Sequence, residues 1–185
     1  MTLYSIALFF HVVGALGFFI ALGLEWFTLM QLQRTTTVEQ VVDWFSVTNR
    51  LRGLAGISML IILIAGGYMT FAAWGGADWI EVAFGAMLLQ GAVAGILTTP
   101  RMRALQKATA DAHGPLSSEQ ASLLHHPLLS VSLWSRIGLA LGIIFLMTVK
   151  PALVASLVVI VVGTVVGSAL ALVTMGSSRR ETVVA

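Results

Sequence analysis

The chain has 185 residues, 58% of them apolar and 10% charged, and its mean hydropathy of +0.95 lies far above that of a soluble domain. Ten basic residues against eight acidic leave a net charge of +2, too small and too scattered for a nucleic-acid footprint. With no Cys in the sequence, disulfides, thiolate nucleophiles, iron–sulfur clusters and Cys-ligated zinc are excluded.

A hydrocarbon core about 30 Å thick is crossed by about 20 apolar residues in helix, because a helix satisfies its own backbone without water. Five stretches qualify: 3–30, 53–74, 79–98, 128–149 and 152–175. The predicted fold is an all-α, polytopic membrane bundle of five transmembrane helices. It forms one domain over residues 1–176, followed by a short, disordered cytoplasmic tail at 177–185. The first stretch has no basic leader and too long an apolar run for a cleavable signal, so it is expected to remain as an anchor. After it, Thr37 and Gln40 read as a capping box. Val38, Val41, Val42 and Phe45 follow at helical spacing, predicting a separate short helix lying flat on the inner leaflet. Pro100 ends the third span or begins a basic helix through Lys107, which Gly114 and Pro115 break. Ser117 with Gln120 predicts another short helix, bounded by Pro127. The connection at 148–151 is so tight that the last two spans form an antiparallel hairpin.

Charge sets the expected orientation. Nine of the ten basic residues fall on connections or helix ends of one side, and only Lys150 falls on the other, near Asp78 and Glu81. By the positive-inside rule the N-terminus is outside and the C-terminus inside a bacterial cytoplasmic membrane, with Trp74, Trp79, Trp26 and Trp44 near the interfaces. Small residues mark the expected seams between helices: Gly91 with Gly95, Gly138 with Gly142, Gly163 with Gly167, and Gly14, Gly17 and Ala21 on the first helix. A homo-oligomer through one of these faces stays open.

Ionisable groups inside lipid are costly and seldom idle. On the first helix, His11 and Glu25 are fourteen residues apart, which places them within about 40° of one face and about 21 Å apart along the axis. Arg136 lies well inside the fourth span, and Glu25 is the carboxylate at comparable depth, so a Glu25–Arg136 pair is expected; snorkelling of Arg136 to the headgroups is the alternative. His11 is expected in the outer half, at the depth of Met69, Met87 and Met147, with Tyr68 nearby. An imidazole among thioethers suits copper or haem b, while a hydrogen bond from His11 to a neighbouring helix is the plainer alternative. His113, His125 and His126 lie at the opposite side and cannot complete a bis-His site. Gln90 is expected to make an interhelical hydrogen bond.

The run Leu3-Tyr4 through His11-Val12-Val13-Gly14-Ala15 resembles the first helix of a bacterial group that includes the membrane domain of copper-resistance protein D and the HemJ-type protoporphyrinogen oxidase. Gly66-Gly67-Tyr68, Trp79-Ile80, Pro100-Arg101-Met102-Arg103-Ala104-Leu105 and the run from Phe145 to Pro151 are similar to an uncharacterised family of small integral membrane proteins usually placed beside them. The resemblance implies a compact bundle of four or five helices and haem or copper handling through a His on the first helix, a role only His11 can take. No complete catalytic motif is present. The functional expectation is therefore a membrane protein binding haem b or copper through His11. The alternatives are a structural or accessory subunit of a larger membrane complex and, further off, a small-solute transporter.

Overall fold

The computed structural model describes residues 2–174 with their side chains and the backbone of residues 175–184. The expected tail at 177–185 therefore lies outside the fully described residues. The elements are α1 (Leu3–Leu32), α2 (Val38–Met69), a π-helical turn (Thr70–Trp74), α3 (Asp78–Val93), a second π turn (Ala94–Thr98), α4 (Thr99–Thr109), α5 (Ser118–Leu124), α6 (Pro127–Val149) and α7 (Leu153–Val184). Five of the resulting helices are long and apolar enough to cross a membrane, and no named strand occurs among the described residues. Large apolar side chains face outward along every span, Phe71 being 92% exposed and Val154 73%. That surface is stable against lipid tails and costly against water.

Two expectations about the basic end are corrected. The segment from Val38 is not a separate helix lying on the leaflet but the first turns of α2, continuous with the second span. Its apolar positions Val41 and Phe45 are buried against Met102, Leu105, Leu124 and Leu129, so protein takes the place assigned to lipid. The Thr37 hydroxyl does not cap the helix; Gln40 reaches back instead to accept from the Thr36 N–H at 3.1 Å. Ser117 and Gln120 form the full reciprocal capping box at the start of α5. Pro100 begins the basic helix, as expected, standing in the first turn of α4, and the π turn before it carries the third span without a break into that helix. A proline has no N–H to offer the preceding turn, and the Arg101 guanidinium donates to the Leu97 carbonyl there at 2.7 Å. The two connections at this end are tied together, with Val38 N–H donating to Gly114 O and Leu116 N–H to Thr36 O.

Helix packing divides the bundle into two blocks. α1 lies along α2, while α6 packs against α7 and α3; between the blocks α1 meets α6 over only a short stretch. Both blocks rest on close backbone approach. A Cβ at Gly17 would stand 2.5 Å from Ser58 Oγ, and one at Gly14 3.0 Å from Ile61. In the other block, a Cβ at Gly138 would collide with the Gly163 carbonyl and one at Gly167 with that of Trp134. The glycine faces of α6 and α7 are thus consumed by each other. The expected seam at Gly91 and Gly95 is not one: Gly95 has nothing within 4 Å of an added Cβ, and Gly91 meets only the end of Met59.

The hairpin between α6 and α7 turns on Lys150, which holds the left-handed conformation at φ 54° and ψ 53° and donates its N–H to Leu146 O, before Pro151. Gly138→Ala is expected to destabilise the bundle by about 2 kcal/mol or more, since backbone rather than a movable side chain blocks the new methyl, while Gly95→Ala is silent. Thermal unfolding of both variants in detergent checks this.

Candidate ligand cavity and buried ion pair

α1 and α6 meet through apolar side chains, Phe18 and Leu22 against Leu133 and Ala140, and through one buried ion pair in the half of the bundle nearer the basic end. Arg136 on α6 donates from Nη2 to Glu25 Oε1 on α1 at 2.5 Å, with Arg136 only 8% exposed. Its Nε also donates to the Ser132 carbonyl at 3.3 Å, and its own backbone carbonyl accepts from Gln90 Nε2 on α3 at 2.9 Å. The hydroxyls of Thr98 and Ser132 share a further bond of 2.8 Å. Polar groups of α1, α3 and α6 thus meet at one level, where lipid offers no alternative partner. Trp26 on α1 and Trp134 on α6 make an edge-to-face contact, with centroids 6.4 Å apart.

Towards the Lys150 end the two blocks separate and leave a cavity of about 720 Å³. α1 contributes His11, Ala15 and Phe19 to its wall; α2 and its π turn contribute Gly66, Met69 and Trp74; α3 contributes Trp79, Glu81, Phe84 and Met87; α6 contributes Ile143 and Met147. The structure therefore brings His11, Met69, Met87 and Met147 to one void. Tyr68, expected beside them, is not on the wall. A second cavity of about 30 Å³ beside Glu25 and Thr28 has room for little more than one water.

His11 makes the hydrogen bond that its plainer reading required, from Nδ1 to the carbonyl of Ile62 on α2 at 3.2 Å. A carbonyl only accepts, so in the neutral ring Nδ1 carries the proton and Nε2 keeps its lone pair. Nε2 has no hydrogen bond among the described residues. Gly66 makes room for the ring, since a Cβ there would stand 3.2 Å from both Cε1 and Nδ1. A bond that fixes the tautomer while leaving the other nitrogen available is how ligating histidines are oriented, and it serves a hydroxyl donor equally well. The two readings of His11 are therefore compatible.

The other histidines stay apart from this site. His113 lies 3.8 Å from Glu39 at the surface, His125 sits between the carbonyls of Ala121 and Gln33, and His126 caps α6 through Nδ1. No cluster of three or more His, Asp or Glu suited to a metal ion occurs among the described residues.

Gly66, Trp74, Trp79 and Phe84 were not read from the sequence as site residues. The tryptophans carried an interfacial signal in the sequence and stand on the cavity wall at the Lys150 end, and nothing in the sequence distinguishes Gly66 from Gly67. No protein-family profile, curated protein or solved structure matches this chain.

Removing either partner of the ion pair leaves a charge buried without compensation, which costs about 3–5 kcal/mol. Glu25→Leu and Arg136→Leu are each expected to lower stability by that order, and the double variant by much less than the sum. A double-mutant cycle from denaturant unfolding in micelles measures the coupling.

Proposed function

We propose that this protein is a non-catalytic, membrane-embedded binding protein whose cavity holds a large lipophilic ligand with His11 as its polar anchor, haem b being the ligand most consistent with the donor and the space. The carrying observation is an imidazole with its tautomer set by the Ile62 carbonyl, standing on the wall of an apolar void of about 720 Å³. That volume falls within the range of small-molecule and cofactor sites. Copper fits less well. A bare ion needs its donors at bonding distance from a single point, whereas Met69, Met87 and Met147 come from three different elements around a large void. When bound, haem supplies redox or gas-binding chemistry. His11 would hold the haem through its imidazole, with soft thioether and aromatic side chains around it.

The charge asymmetry supports placing the basic end in the cytoplasm and the cavity in the outer leaflet half of a bacterial cytoplasmic membrane. An accessory-subunit role draws less support than the sequence offered it, because the glycine faces of α6 and α7 are already occupied by one another.

Titration of the purified protein with hemin, followed in the visible spectrum, is expected to give a saturable Soret band. His11→Ala is expected to abolish the ligated spectrum without unfolding the bundle. Gly66→Val, which drives a side chain into the His11 ring, should weaken binding at least tenfold. A wild-type protein that shows no saturable Soret band, or a His11→Ala variant with an unchanged spectrum, would overturn the reading.

A further inference from the structure

The cavity has an apolar body, one imidazole on its wall and, at its far end, a cation that the binding site described above does not use. Lys150 is not a wall residue, but its Nζ stands 4.3 Å from the ring centroid of Trp74 and 5.8 Å from that of Trp79, both of which are. The two indoles meet edge to face with centroids 5.4 Å apart. Trp74 is fixed further by an Nε1–H bond to Tyr4 Oη at 3.4 Å. The backbone of Lys150 is fixed by its place as the left-handed cap of α6, directly before Pro151. The ammonium is thus held at the mouth by aromatic faces and a rigid turn.

Among the described residues this cation has no carboxylate partner. The described residues contain two ion pairs, Glu39–His113 and Glu25–Arg136, and both lie in the basic half. Glu81 is on the cavity wall and does not pair with Lys150. Lys150 is exposed, with one side of its ammonium over the indole rings and the rest open to an incoming anion. Gly66, against which His11 rests, is eight residues from Trp74, or about 12 Å along the helix. A molecule reaching from His11 to Lys150 is therefore about that long, apolar between its ends, and negative at the mouth.

We propose that Lys150, held over Trp74 and Trp79, is the recognition site for a carboxylate on the cavity's ligand, so that the class of molecule bound is an amphipathic carboxylic acid. This deepens the preceding reading and rests on the same cavity, but it does not require iron. A neutral lipophile of the same shape lacks the second anchor and binds more weakly.

The test compares acids with their esters in phosphatidylcholine nanodiscs, corrected against empty discs. Two probes are used, cis-parinaric acid with its methyl ester, and hemin with its dimethyl ester. Wild type is expected to bind each acid about tenfold more tightly than its ester. Lys150→Asn, chosen because Asn tolerates the left-handed backbone, should bring that ratio close to one, and Lys150→Arg should preserve it. Absence of acid preference in wild type for both probes, or an unchanged ratio in a folded Lys150→Asn, overturns the proposal. If parinarate discriminates through Lys150 while hemin gives no His11-dependent spectrum, the haem reading fails and this inference stands. If hemin ligation depends on His11 but both acids and esters bind alike, this inference fails and the haem reading stands.

Discussion

The pair between Glu25 and Arg136 is the constraint from which the rest of the architecture follows. Hydrophobic burial cannot draw helices together in a solvent as apolar as they are, so association depends on close packing and on polar groups that have nowhere else to go. α1 with α2 and α6 with α7 obtain the first through glycines. Between α1 with α2 and the remaining helices, side chains carry the contact, Phe18 and Leu22 against Leu133 and Ala140 and, at the basic end, Val41 and Phe45 against Met102, Leu105, Leu124 and Leu129, with one charged hydrogen bond among them. Beyond that level, on the Lys150 side, α1, α2, α3 and α6 together line the cavity.

The same logic explains why the polar groups gather in one half. Gln90, Ser132, Thr98 and the Arg136 carbonyl join the level of the ion pair, each giving another a partner that the membrane interior would withhold. In the opposite half the Nδ1 proton of His11 is absorbed by a backbone carbonyl and the Trp74 Nε1–H by Tyr4, Glu81 stands on the cavity wall, and most of the remaining lining is thioether, aromatic or aliphatic. The cavity there is an open cleft rather than a sealed void, and its lining is almost wholly apolar.

Much of this was legible before any coordinates. The spans follow from hydropathy, and the shared face of His11 and Glu25 follows from helical period alone. Glu25 and Arg136 can be matched from the sequence because they are a carboxylate and a guanidinium at comparable depth on the first and fourth spans. What could not be read has definite physical causes. Helical periodicity shows that Val38, Val41 and Phe45 share a face, yet it is blind to whether lipid or protein covers that face. Spacing shows small-xxx-small pairs, yet Gly91 with Gly95 and Gly163 with Gly167 are equivalent on paper, and only the path of the neighbouring backbone separates an empty face from a seam. The π turn at Thr70–Trp74 adds a residue to one helical turn and so moves Trp74 away from where a regular helix would put it, a displacement that no local propensity signals.

That displacement bears on the chemistry of the cavity. The π turn follows directly on the Gly66 to Met69 segment that faces His11, and Thr70 closes it by donating its hydroxyl to the Gly66 carbonyl at 2.9 Å. The element that makes room for the imidazole and the element that supplies Trp74 are therefore consecutive turns of one helix. Lys150 reaches the same indole from the cap of α6, the helix that Arg136 anchors to α1 at its other end. Imidazole, indole and ammonium are consequently referenced to one another through a closed path of short links: His11 to Ile62, α2 to Trp74, Trp74 to Lys150, α6 to Arg136, and Arg136 back to the helix that bears His11. Such a loop ties the length of the cavity to a hydrogen bond and an ion pair that the membrane interior would not replace.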